Sequence, residues 1–356
     1  MNGSSATPAP AKPEKKGAPS HFPSLDGVRA VSILMVMAGH LNGTVNFGRR
    51  ASWVGDYAHL GVVIFFVVSG FLITSLLLSE EQKRGRVSLK LFYARRSLRI
   101  FPASYAYLAC MSGLWMAGAI QLNARSLWQA VTYTMNYMPR PPWHLGHLWS
   151  LSVEEQFYLL WPSTFVFLGR RKASWAAVWV IALAPFTRAI GTFALRGTGY
   201  QDVAMFPMVA DSLASGCLLA IMRGWLERQR LYVMLLRPVN SLILVALVLL
   251  LNRYMGYTVV AAFGNSIVNV CLAILVHRSV LRARDSMGRF LNWKPVAAVG
   301  VLSYSLYLWQ QPFLNRASSL WMNSFPWNLL LAVAAAVASY TFLEKPLLRL
   351  RRKLRA

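Results

Sequence analysis

Acidic residues are scarce: 12 Asp and Glu stand against 37 Lys and Arg in 356 residues, and all charged residues together make up only 14 %. Soluble domains carry about a quarter, so a chain with an ordinary water-facing surface is excluded. Cysteine is nearly absent as well. The three present, Cys110, Cys217 and Cys271, fall singly within apolar runs, and an odd number of such thiols argues against a disulfide framework or a cysteine metal site. No GxxxxGK loop or dinucleotide-binding fingerprint occurs. No internal repeat and no second soluble domain stand out, and the missing symmetry between halves weighs against a repeat-built transporter.

What the sequence does have is apolar length. Hydrophobic residues reach 56 % and aromatics 13 %, with a mean hydropathy of +0.42. Windows of about 20 apolar residues, enough to cross a bilayer as helix, recur near 30–48, 59–79, 100–120, 148–169, 173–195, 204–222, 238–256, 257–277, 296–315 and 326–343. An all-α polytopic membrane protein of about ten crossings follows. The segment 1–23, rich in Pro, Ala, Ser and Lys, reads as a disordered basic N-terminal stretch. It lacks the short apolar core and cleavage site of a signal peptide, so the first span is expected to stay. Residues 24–346 form the membrane domain, and 347–356 a basic cytoplasmic tail.

Of the 37 basic residues, 29 fall in one set of alternate loops and at the two ends, including the runs at 80–99, 278–294 and beyond 344. The positive-inside rule therefore places both termini in the cytoplasm. The net charge of +25 reflects this bias and an affinity for anionic lipid head groups. Nucleic acid is not an expected partner, because the cations are divided among short loops.

The stretch GVRAVSILMVMAGH, 27–40, carries an arginine near its start and a histidine eleven residues on. Eleven helical steps of about 100° come within about 20° of whole turns, with a rise of about 16 Å. Arg29 and His40 thus share a face. With Arg29 at the cytoplasmic entry, His40 is expected near the bilayer midplane, where an ionisable residue is costly and faces a polar cavity or a partner. Either alone has a bland explanation, Arg29 by snorkelling to lipid phosphate and His40 by bonding a neighbouring helix. The pair on one face favours function.

SLDGVRAVSILMVMAGH resembles the first membrane helix of the type-3 acyltransferase family, membrane enzymes that move acyl groups, usually acetyl, from acyl-coenzyme A to sugars and other hydroxyl acceptors. The family's arginine, ten intervening residues and histidine match Arg29 and His40. Further blocks follow in the family's order: GVVIFFVVSGFLI at 61–73, FYARRSLRIFPASY at 92–105, HLWSLSVEEQFYLLWP at 147–162, ADSLASGCLLA at 210–220 and LSYSLYLWQQP at 302–312. Two departures are Val63, where the family often has an acidic residue, and Gln310, where it often has histidine. The resemblance implies a membrane-embedded O-acetyltransferase in a bacterial cytoplasmic membrane. Its donor would be acetyl-coenzyme A or another acyl-coenzyme A, its acceptor a carbohydrate such as a surface polysaccharide, lipopolysaccharide included.

The residues fit that chemistry. An alcohol attacking a thioester needs a base, and imidazole titrates closest to neutral pH, which makes His40 the candidate. Asp26, three residues before Arg29, either pairs with it or caps the first helix. Coenzyme phosphates call for a cationic mouth, and the resemblance assigns that role to Arg29, Arg95, Arg96 and Arg99, of which Arg96 and Arg99 share a helix face. Ordinary cytoplasmic anchoring is the alternative. At the outer start of the fourth span, Ser152 and Glu155 have capping-box spacing, leaving Glu154 to orient His40 or hold a sugar hydroxyl. Glu155, Trp149, Tyr137 and Trp143 are candidate acceptor contacts, with His144 and His147 as donors, although interfacial aromatic belts account for such rings too. Two histidines three apart suggest a metal only if a third ligand is near, and none is. Asp211 lines the cavity or bonds a neighbouring helix, Gln310 bonds within the cavity, Tyr304, Tyr307 and Trp309 read as packing, and Glu344 as interfacial. A transporter of an anionic solute, using the same arginines and histidine as binding and relay groups, is the competing reading.

Overall fold

The computed structural model describes residues 22–48, 56–198, 204–254 and 260–353. Most of the expected disordered segment, residues 1–21, and the last three residues of the expected tail, 354–356, lie outside them. Among the described residues there is no strand. Helices follow in the order α1 (Pro23–Leu41), α2 (Asp56–Arg84), α3 (Leu89–Met116), α4 (Ala124–Val131), α5 (Trp143–Gly146), α6 (Leu148–Ala194) and α7 (Phe206–Leu226). Then come α8 (Arg230–Leu235), α9 (Pro238–Arg253), α10 (Asn265–Leu281), α11 (Ser286–Leu291), α12 (Lys294–Trp309), α13 (Trp327–Ser339) and α14 (Lys345–Lys353). Among the described residues, six helical stretches are long and apolar enough to cross a membrane: Ser24–Leu41, Tyr57–Arg84, Trp143–Ala194, Phe206–Leu226, Ala262–Leu281 and Trp327–Arg349. The chain is a multi-pass helical membrane protein. Outward-pointing Phe167, Phe193, Leu242 and Phe342 are more than two-thirds exposed, an apolar exterior suited to lipid.

Three boundaries differ from the sequence expectation, each for a local reason. Helix α1 starts and ends seven residues earlier than the span expected at 30–48, because Asn42 is an extended C-cap and Gly43 takes a left-handed φ of 89°. His40 therefore sits in the last turn of α1 rather than at mid-helix. Helix α3 begins at Leu89, with Ser88 Oγ accepting from the Leu91 N–H at 3.4 Å, so Arg95, Arg96 and Arg99 lie inside the helix rather than at its foot. The two spans expected at 148–169 and 173–195 are continuous in hydrogen bonding but break at Gly169, whose φ of 70° and ψ of 166° only glycine adopts without strain.

Helix α2 packs along α7, and α1 packs against both α2 and α12. Lipid tails give no hydrophobic drive for such contacts, so close approach through small residues supplies them. Gly70 faces the Leu213 carbonyl of α7 and Gly216 faces the Val67 carbonyl of α2, each so near that a Cβ would collide with backbone. One apolar cluster gathers Ile33, Val36, Phe66, Tyr107 and Trp161; a second gathers Leu25, Val67, Phe71, Val268 and Leu272. Val63 belongs to the second, so the departure at that position changes packing rather than the cavity described below.

Candidate active site

Between α1, α2, α3, α6 and α12 lies a cavity of about 800 Å³, including its open mouth. Three guanidiniums, Arg29, Arg96 and Arg99, line it against one carboxylate, Glu154. Ser69, Ser150, Tyr158, Ser303, Tyr304 and Tyr307 supply the hydroxyls. Glu154 is held on both oxygens: Ser69 Oγ donates to Oε1 at 2.8 Å, and the Tyr158 hydroxyl donates to Oε2 at 3.3 Å. Tyr158 is one turn after Glu154 on α6, so a single helix face presents both. Arg96 lies over the rings of Tyr158 and Phe92, 5.3 and 5.8 Å from their centroids. Neither Arg96 nor Arg99 has an ion-pair partner among the described residues. Asp26, Glu155 and Glu344 add counter-charge from outside the lining, yet within the lining the guanidiniums outnumber the carboxylate, and paired guanidiniums suit phosphate oxygens.

At the end of α1 a second cluster forms. His40 is half-buried, and its Nδ1 lies 2.8 Å from Gln310 Oε1, just past the end of α12. The ring of Trp143 meets His40 edge-on at 5.5 Å, and the Arg316 guanidinium stands over the Trp143 ring, 5.9 Å from its centroid. Trp143 and Gln311 clasp each other: Trp143 Nε1 donates to the Gln311 carbonyl at 2.7 Å, and Gln311 Nε2 donates to the Trp143 carbonyl at 2.8 Å. Aromatic rings cluster beside the cavity. Tyr307 lines the cavity and donates to the His147 carbonyl at 2.7 Å, and the His147 ring lies between Tyr107 and Tyr307 at 5.4 and 5.5 Å.

Several sequence expectations are rearranged by this geometry. Asp26 pairs with Arg29 at 3.5 Å; the N-cap of α1 is Phe22, so Asp26 is not the cap. Glu154 does not reach His40, which Gln310 contacts instead. The Ser152–Glu155 capping box is absent because α6 starts at Leu148; Ser152 donates back to the Leu148 carbonyl and accepts from the Met135 N–H. Arg95 points away into a 2.6 Å ion pair with Glu80. Asp211 does not line the cavity; Arg188 at 3.0 Å and Ser266 at 2.7 Å enclose it on a different set of helices. Trp149 is half-buried, stacked on His59 and edge-on to Phe66, rather than presented to an acceptor, while Tyr137 is exposed on a 3-10 turn. His147 is buried behind Tyr107 rather than offered by the loop. Glu155 is not among the lining residues.

Sequence reasoning missed Ser69, Tyr158, Tyr304 and Tyr307 as lining residues, and missed that Glu344 is buried and accepts from Ser305. A hydroxyl or carboxyl recurring within an apolar span, as in VVSG, FYLL and SYSLY, was the available signal. No group of three His, Cys, Asp or Glu among the described residues is placed to hold a metal ion.

Six helices long and apolar enough to cross a membrane, with buried arginines and an imidazole on the same helix as one of them, define a multi-pass helical membrane protein with a polar interior. Its family is specific. Residues 22–343 match the family model described as an acyltransferase domain, and the chain belongs to that acyltransferase family. It is similar to the peptidoglycan O-acetyltransferase OatA of Listeria monocytogenes serovar 1/2a, at 27 % identity over 92 % of this chain and 56 % of that protein. The O-acetyltransferase OatA of Staphylococcus aureus strain NCTC 8325 is 28 % identical over 94 % of this chain and 58 % of its own length. The putative peptidoglycan O-acetyltransferase YrhL of Bacillus subtilis strain 168 is 29 % identical over 92 % and 55 %. The chain thus spans a little over half the length of the curated relatives it matches. No solved structure matches it.

Proposed function

We propose that this chain is a membrane-embedded O-acetyltransferase that moves an acetyl group from acetyl-coenzyme A to a carbohydrate hydroxyl, with cell-wall glycan of the peptidoglycan class as acceptor. The observation that carries the reading is the cavity in which Arg29, Arg96 and Arg99 face a single lining carboxylate. Those arginines hold the coenzyme's phosphates, and Asp26 and Glu154 supply counter-charge. His40 takes the acceptor's hydroxyl proton as the alkoxide oxygen attacks the acyl carbon. The carbon–sulfur bond then breaks, and the imidazolium returns the proton to the departing thiolate. Half-exposed Trp143 offers a stacking face for sugar beside His40, and exposed Tyr137 is a further candidate face.

The membrane arrangement belongs to the same proposal. Counting α1, α2, α3, both halves of α6 about Gly169, α7, α9, α10, α12 and α13 gives ten crossings of a bacterial cytoplasmic membrane, with both termini inside. The donor then enters from the cytosolic end and the acceptor from the His40 end.

The test is single-turnover transfer by purified protein at saturating acetyl-coenzyme A. Thioester cleavage should require added glycan acceptor, and His40→Gln should lose about 100- to 10,000-fold in rate. A rate within a few-fold of wild type would remove His40 from the chemistry, and solute flux without thioester cleavage would favour an anion transporter.

A further inference from the structure

We infer that Gln310 and Gln311 form a hydrogen-bond relay of fixed polarity that sets the tautomer of His40, leaving Nε2 as its proton acceptor. The inference rests on the reading of His40 as the base and adds which nitrogen acts and what holds it so. The relay starts at a group whose polarity is not adjustable. The Trp143 carbonyl has no proton, so the Gln311 side-chain nitrogen must face it, and Nε2 does, at 2.8 Å. That leaves Gln311 Oε1 turned to Gln310, whose Nε2 donates to it at 3.2 Å. Gln310 Oε1 is then the atom presented to His40 Nδ1 at 2.8 Å. An amide oxygen only accepts, so Nδ1 must carry the proton. A neutral imidazole holds one proton, and the lone pair falls on Nε2.

Reversing Gln311 would set oxygen against the Trp143 carbonyl and NH2 against NH2 at Gln310, and reversing Gln310 alone would set its oxygen against Gln311 Oε1. The relay is also well buried, with Gln310 inaccessible and Gln311 at 4 % exposure, so water offers no substitute partner. The second clasp, Trp143 Nε1 to the Gln311 carbonyl at 2.7 Å, keeps the strand of the relay against the residue that anchors it. Gln310 is a positioning residue by this account, and Gln311 positions Gln310. Neither needs to touch the reacting atoms.

The measurement is 15N NMR of histidine-labelled full-length protein in detergent, with the His40 signal among the six histidines identified by its loss in His40→Gln. Neutral His40 should show a protonated Nδ1 and a bare Nε2; the opposite tautomer would overturn the relay whether or not His40 proves to be the base. Gln310→Leu should release the tautomer and lower kcat by about 10- to 100-fold with KM for donor and acceptor held, the range typical when an orienting partner is lost. Gln310→Glu, whose buried carboxyl in its protonated form accepts from Nδ1 and donates to Gln311 Oε1, should keep the tautomer and recover kcat to within about tenfold of wild type. Gln311→Met should give a mixture of both tautomers. If Gln310→Leu is too poorly folded to assay, the wild-type spectrum and Gln310→Glu decide: a leucine-like loss of kcat in the glutamate variant would also sink the inference.

Discussion

Replacing Arg99 with Gln should separate binding from stability, weakening the first and sparing the second. In the ligand-free protein, Arg99 repels both Arg29 and Arg96 across the cavity and has no ion-pair partner among the described residues. Removing it relieves like-charge crowding but also forfeits its attraction for Glu154 and Glu344, so the unfolding temperature without ligand should hold. Binding should suffer. A charge-assisted hydrogen bond contributes about 1.5–3 kcal/mol, and a guanidinium on phosphate makes up to two, so the loss is about 3 kcal/mol or more, roughly a hundredfold in Kd at 1.4 kcal/mol per decade. Thermal unfolding in detergent with and without coenzyme A reads both effects. At coenzyme A about 100 times the wild-type Kd, ligand adds about 2.7 kcal/mol to wild-type stability. With Kd raised a hundredfold, the same concentration adds only about 0.4 kcal/mol. A variant that unfolds earlier without ligand yet keeps the full coenzyme shift would refute the cavity reading and make Arg99 a structural residue.

Gly216→Val tests the α2–α7 contact, because the new side chain meets the Val67 carbonyl and the Phe71 nitrogen, backbone atoms that cannot rotate aside. A loss of about 1–3 kcal/mol is expected, read as a lower unfolding temperature; unchanged stability would mean the helices are not in that close a contact. Orientation is open to labelling of intact cells by an impermeant thiol reagent. A cysteine at Arg196 should react from outside and one at Arg171 should not, and the reverse pattern would place the donor entry on the wrong side. Ser52, an otherwise natural outer site for the same experiment, lies outside the described residues.

The helical spacing of Arg29 and His40 was legible because both lie on one helix, where angle and rise follow from residue count alone. The same holds for Arg96 and Arg99, three residues apart, which do line one cavity. What the sequence could not disclose is which helices stand next to each other. His40 and Gln310 are 270 residues apart, and only the packing of α1 on α12 brings them together. Asp211 shows the same limit from the other side. An acidic group in an apolar span reads alike whether it faces a cavity or an arginine, and its partner Arg188 stood on a separate span with no sequence mark of pairing. Tyr304 and Tyr307 read as packing because a phenol serves either purpose; here their rings pack and their edges line the cavity. Apolar windows also located the membrane helices better than their ends. Asn42-Gly43 stopped α1 inside an apolar window, and Ser88 opened α3 well before one.

The length of α1 between its two functional residues bears on the kind of donor that fits. Arg29 and His40 are separated by about 16 Å along the helix axis, and of the two only Arg29 lines the arginine-rich cavity. A small activated acyl compound carries its anionic group bonded directly to the acyl carbon. Held by the arginines, its carbonyl stays in the cavity; placed at His40, its phosphate finds no guanidinium pair. An acyl-coenzyme A divides those functions, with its phosphates and its thioester at opposite ends of a flexible arm. Binding energy collected at Arg29, Arg96 and Arg99 can then position a reacting carbon that touches none of them, the use of remote contacts that lowers a barrier without tightening the hold on the reacting group itself. The proposed donor also fits the charge of the lining: three guanidiniums and one carboxylate face the cavity, such a surplus is costly within an apolar chain, and the coenzyme's phosphates would offset it.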